Sequence, residues 1–147
     1  MRTLLIFLLL TFGAYAYSEY TPEQIAEWRE RAEKGEAWGQ YSFGLAYEDG
    51  RYVPEDKKEA VKWYRKAAEQ GHDYSQWSLA FAYYKGEGVI EDQVQAYAWW
   101  NIAAANGNEL GKAWKAKVAE EMTKEQIAEA QKLSREMIKA NPKLMGD

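Results

Sequence analysis

The chain has 147 residues with 19 Lys/Arg against 23 Asp/Glu, a formal net charge of −4. It therefore lacks the basic surplus that a phosphate backbone requires, and nucleic acid is excluded as a partner. No cysteine and one histidine leave neither disulfide staples nor a zinc site of usual composition, while 15% aromatic residues, seven Trp among them, mark a packed protein rather than a disordered one.

Residues 1–16 read as an address. Met1-Arg2 is a short positive start, Leu4 to Phe12 is apolar, and Ala14-Tyr15-Ala16 is a small-x-small cleavage site. The run is too short for a hydrocarbon core that needs about 20 apolar residues. The expectation is a secretory signal peptide cut near Ala16/Tyr17, a periplasmic or secreted product, and no integral membrane span in the mature chain. No cysteine follows the cut to carry a lipid. Loss of Arg2 leaves 18 basic against 23 acidic residues, a net charge of −5 on a single domain, 17–147.

Thr21-Pro22-Glu23-Gln24 combines an N-cap, a Pro at the first helical position and a Gln that completes a capping box, predicting an edge helix over 22–34. A first helix at 37–47 follows, then a glycine-containing loop, then Asp56 as the N-cap of a second helix at 57–70 that ends at Gly71. The same order recurs as a helix at 73–84, a loop through Gly86 and Gly88, the cap Asp92, a helix at 93–106 and Gly107. The two repeats are thus 37–71 and 73–107. Residues 109–140 complete the chain as a degenerate repeat, a helix at 109–121, and a C-terminal capping helix opened by Thr123-Lys124-Glu125-Gln126.

Phe43/Leu79, Tyr47/Tyr83, Gly50/Gly86, Asp56/Asp92, Ala60/Ala96, Trp63/Trp99 and Ala68/Ala104 all fall 36 apart. A fixed period of this size is the signature of stacked supersecondary units, each too small to bury its own apolar face. The fold class expected is all-α: a short right-handed α-solenoid of helix–loop–helix repeats with about seven helices.

Tyr41-Ser42-Phe43-Gly44-Leu45-Ala46-Tyr47, Asp49-Gly50, Val53-Pro54-Glu55-Asp56 and Glu59 to His72 resemble the Sel-one-like repeat (SLR), a relative of the tetratricopeptide repeats with a longer loop. The second copy departs at Ala80 for Gly44, Ile90 for Pro54 and Trp100-Asn101 for Tyr64-Arg65. The resemblance covers 35–107 strongly and the flanks weakly. It implies an adaptor that binds a protein or peptide along a concave groove, and it implies that first helices line that groove. At helical spacing the lining is then Trp38, Tyr41, Leu45 and Glu48 from the first repeat, with Tyr74, Trp77, Phe81 and Tyr84 from the second. Six of the eight are aromatic, the class enriched where partners bind. The alternative, that these rings are repeat core, stays open.

Trp63, Tyr64, Trp99 and Trp100 lie beside alanines on second helices, which suits interlocking between repeats, and Trp28 takes the slot of Tyr64 in the edge helix. His72, just after a helix-ending glycine, reads as a solvated turn residue. A Ser–His pair could form only with Ser75 or Ser78, with no third group to orient the ring. Ser-x-x-Lys is absent, and Gly86-Glu87-Gly88 lacks the context of a phosphate loop. The expectation is a non-catalytic protein with no cofactor and no metal, whose partner is a protein or peptide of the cell envelope or beyond. The alternatives are a cell-envelope enzyme acting on glycans or β-lactams, and a weakly self-associating structural protein.

Overall fold

The computed structural model describes residues 20–146, so the expected signal segment and its cleavage point lie outside the described residues. Helix starts follow the capping chemistry. Thr21 opens α1 (Pro22–Glu33) through a reciprocal box with Gln24, and Thr123 opens α7 (Lys124–Ala140) through the same box with Gln126. Asp56 accepts the Glu59 N–H at the start of α3 (Lys57–Ala68), and Asp92 accepts that of Gln95 at the start of α5 (Gln93–Ala105), both at 3.0 Å.

The remaining three helices begin 36 residues apart after Glu36, His72 and Asn108: α2 (Ala37–Asp49), α4 (Asp73–Lys85) and α6 (Glu109–Ala119). Their caps differ. Glu36 makes no side-chain cap, His72 Nδ1 accepts from the Ser75 N–H at 3.2 Å, and Asn108 Oδ1 accepts from the Gly111 N–H at 2.8 Å. His72 is thus not a solvated turn residue. It is the N-cap of α4, half-buried, with its ring 4.9 Å from that of Tyr41. The sequence places the start of a helix at 73, but not the acceptor that the start needs, a role the His72 ring fills.

Among the described residues there are seven α-helices, a closing 3₁₀ turn (Pro142–Met145) and no strand. α2 pairs with α3 and α4 with α5 as hairpins. α1 packs on α2, α3 on α4, and α6 on α5, so the chain is an all-α solenoid. α7 lies along α5 rather than pairing with α6. That placement explains α5, whose sequence is apolar on every side and buries Ala96, Tyr97, Ala98, Trp99, Trp100, Ile102 and Ala103. A helix apolar all round needs neighbours all round, and α4, α6 and α7 supply them.

Two apolar clusters result. The larger runs from α3 to the closing turn around Tyr64, Leu79, Trp99, Trp100, Val118 and Leu144, and the smaller joins Ile25, Trp28 and Ala32 of α1 to Phe43, Ala46 and Val53. Tyr64, Trp99 and Trp100 are buried, as interlocking residues should be, whereas Trp63 is half-buried under the Lys66 ammonium 4.3 Å from its ring. Trp28 is buried and meets Trp38 edge-on.

A polar device repeats with the helices. Gln40 and Gln76, each buried at the start of a first helix, reach back to the carbonyls of Ala32 and Ala68. Each also accepts from an amide 30 residues further on: Gln40 from Gln70, Gln76 from Asn106. In the second repeat alone the pair holds something more. Gln76 Nε2 and Asn106 Nδ2 both donate to the carbonyl of Leu144, each at 2.7 Å, and the last residues fold back over the end of α3.

Candidate interaction face

Side chains of the three first helices meet along one face. Tyr41 of α2 lies 6.3 Å from Tyr74 of α4, while Phe81 and Tyr84 of α4 lie 5.0 and 5.8 Å from Trp114 of α6. Two aromatic groups follow. Tyr41, His72 and Tyr74 form the N-terminal one. Trp77, Phe81, Tyr84, Trp100 and Trp114 form the other, with Trp77 stacked on Phe81 at 5.5 Å and Trp100 stacked on Trp114 at 5.5 Å.

The eight residues singled out by spacing do not share one environment. Trp38 and Tyr74 each keep 50% of their surface exposed, whereas Tyr41, Leu45, Glu48, Trp77, Phe81 and Tyr84 are half-buried. Trp38 turns back to α1, edge-on to Trp28 at 6.3 Å with the Arg31 guanidinium 5.5 Å from its ring. Leu45, Trp77, Phe81 and Tyr84 pack against the larger core cluster. The stripe is thus core on one flank and surface on the other, which is how a helix one layer deep presents a ring.

Several hydroxyls and carboxylates on this face are paired, whereas the buried indole N–H groups of Trp77 and Trp100 have no hydrogen-bond partner among the described residues. Glu48 accepts from the buried Tyr64 hydroxyl; burial first, then that carboxylate, push the Tyr64 phenol far above its ordinary range. Thirty-six residues on, Tyr84 occupies the Glu48 position and donates to Glu121 at 3.0 Å, a bond that raises its pKa. Burial raises the Tyr41 phenol as well, against an opposing hydrogen bond to Ser78. The stripe therefore offers uncharged phenols and indole faces, flanked by two carboxylates that are already engaged.

Of the two Ser–His pairs the sequence allowed, His72 makes the one with Ser75, at 2.9 Å. Ser75 has no exposed surface, and its own N–H bonds the same Nδ1, so the pair caps a helix and its hydroxyl faces no substrate. Burial lowers the His72 pKa, with Asp73 working weakly the other way. Among the described residues no group of three His, Asp or Glu side chains could hold a metal ion, and no helix is long and apolar enough to cross a membrane.

Spacing missed Trp114, which completes the aromatic group from the degenerate third unit. Its signal was the one aromatic residue of Glu109 to Ala119, displaced by one position from the 36-residue register of Trp77.

The Sel1 repeat family matches residues 39–72 and 73–108. A protective antigen of uropathogenic Escherichia coli displaying an SLR fold superposes with a TM-score of 0.79 at 32% identity, over 92% of this chain and 30% of that one. A Sel1 repeat protein from Oxalobacter formigenes superposes with a TM-score of 0.60 at 36% identity, over 62% of this chain and 26% of that one. The chain spans less than a third of the length of either relative. Among curated proteins none matches.

Proposed function

The chain is a Sel1-like repeat protein, and we propose that it is an exported, non-catalytic adaptor that binds a protein or peptide through the face formed by α2, α4 and α6. Sel1 repeat proteins generally mediate protein–protein interaction. The observation that carries the assignment to this face is the half-exposed Trp38 and Tyr74, the two most open rings of the stripe. Large rigid rings at an exposed surface give contact area at low entropic cost, which is why they anchor interfaces. The carboxylates at its edge accept from neutral phenols and keep their charge, so apolar contact with the rings is combined there with two fixed negative groups. Export and residence in the cell envelope rest on residues 1–16 alone.

A photo-cross-linking residue in place of Trp38 or Tyr74 tests the assignment in cells of the source organism. A discrete adduct is expected from both positions and none from Lys62, whose side chain is exposed on α3. Adducts of the same partner from Lys62 but not from the two rings would move the binding face elsewhere.

A further inference from the structure

The last residues of the chain are held as a ligand is held. Asn141 accepts from the Lys143 N–H at 3.3 Å and, with Pro142 next, preforms a turn. Its amide donates to the Glu69 carbonyl at 2.9 Å, at the end of α3. Leu144 is 3% exposed, and its carbonyl takes the paired amides of Gln76 and Asn106. Gly146 then closes on Gly71, where a Cβ would come within 2.5 Å of the Gly146 backbone. Main chain, one apolar side chain and a turn are all read, by groups from three separate helices.

The equivalent surface 36 residues earlier shows that the repeat does not need this contact. Around Gly35 a Cβ would meet nothing within 4 Å, and Gln70 bonds the Gly35 carbonyl itself at 3.0 Å. The first repeat is complete with no tail upon it. In the second, an open cavity of about 340 Å³ continues past Leu144 between Arg65, Tyr83, Trp99 and Met137, so the tail fills only part of the slot. One buried side chain and three tertiary hydrogen bonds hold these six residues, a small contact that can open while the helices stay packed.

We propose that this slot, between the end of α3, the start of α4, the end of α5 and α7, is a binding site for segments of the form Asn-Pro-x-Leu-x-Gly. Its resident occupant, Asn141–Gly146, exchanges with the same segment of a second copy of the chain. The site is separate from the aromatic face and stands whether or not that face binds a partner.

The test uses the full mature chain carrying Leu144→Asp, which releases its own tail and leaves the slot intact, and a synthetic peptide of residues 141–147 as the probe for another copy's tail. Saturable binding is expected to Leu144→Asp, at least tenfold weaker to the unsubstituted chain whose slot is filled, and at least tenfold weaker once Gln76→Ala is added. No binding to a folded Leu144→Asp chain overturns the proposal, as does equal binding to the unsubstituted chain. Should the variant not fold, amide hydrogen exchange on the unsubstituted chain decides. Leu144 and Gly146 amides at least 100-fold less protected than those of α5 support an exchanging tail, and protection equal to that of α5 overturns it.

Discussion

Gly35 and Gly71 have nearly the same backbone, φ of 87° and 90°, in the same turn of successive units. An alanine at either position adopts a conformation that costs an L-residue about 1–2 kcal/mol. Only at Gly71 does the new methyl also strike backbone, 2.5 Å from Gly146, whereas at Gly35 it enters open space. Gly71→Ala must therefore displace the tail as well. The loss is the burial of Leu144, about 1.5–3 kcal/mol for a leucine, and hydrogen bonds of about 1 kcal/mol each, offset in large part by the freedom regained by six residues. The difference between the two variants should be about 1–2 kcal/mol, with Gly71→Ala the less stable. Urea unfolding followed by tryptophan fluorescence measures it, since about 1 kcal/mol is a clear shift in midpoint at ordinary slopes. Equal midpoints for the two variants would refute the argument, because the strain is common to both and only the tail contact differs.

Trp100→Ala removes a fully buried ring that touches Phe81, Tyr84 and Trp114, and should cost about 3–5 kcal/mol in the same assay, while Trp38→Ala, at a half-exposed ring, should cost under about 1 kcal/mol. Gly44→Ala places a Cβ 2.7 Å from the Tyr64 ring and should cost about 1–3 kcal/mol, although Ala80 occupies the matching position beside Trp100; unchanged stability would show that the first hairpin can open by that much. Burial lowers the His72 pKa below its ordinary 6.5, so the native state binds fewer protons there than the unfolded chain. Stability from this residue is complete above about pH 7 and falls as pH drops through 6.5 and below. His72→Asn keeps an acceptor at the cap, as Asn108 does, and should flatten that fall between pH 7 and 5.5 in urea midpoints taken at each pH.

The repeat order was legible because its signals are local and doubled. Caps at Thr21, Asp56, Asp92 and Thr123 and glycines at 71 and 107 set boundaries that agree with the helices to within two or three residues. The surroundings of α5 were not so readable. Gln93 to Ala105 announces a helix apolar on all sides, yet nothing local says that α7, thirty residues later, supplies the covering surface. Trp114 escaped for a related reason, since the third unit slips by one position and the 36-residue register no longer points to it. Helical spacing brought Tyr41, Tyr74, Trp77, Phe81 and Tyr84 onto one face, but could not tell which rings stand open, because that depends on what the next helix in the stack covers. Trp38 turns to Arg31 and Trp28 across the α1–α2 turn, a contact that periodicity within a single helix does not contain.

The adaptor assignment is tested most directly by affinity capture from the envelope fraction of the source cell, with the mature chain and its Trp38→Ala/Tyr74→Ala variant as paired baits. Both rings are half-exposed, so the variant keeps its fold by circular dichroism and any change in capture reports the face itself. A protein retained by the unsubstituted bait and lost by the variant is the predicted result. Undiminished retention of every specific partner by the folded variant would contradict it.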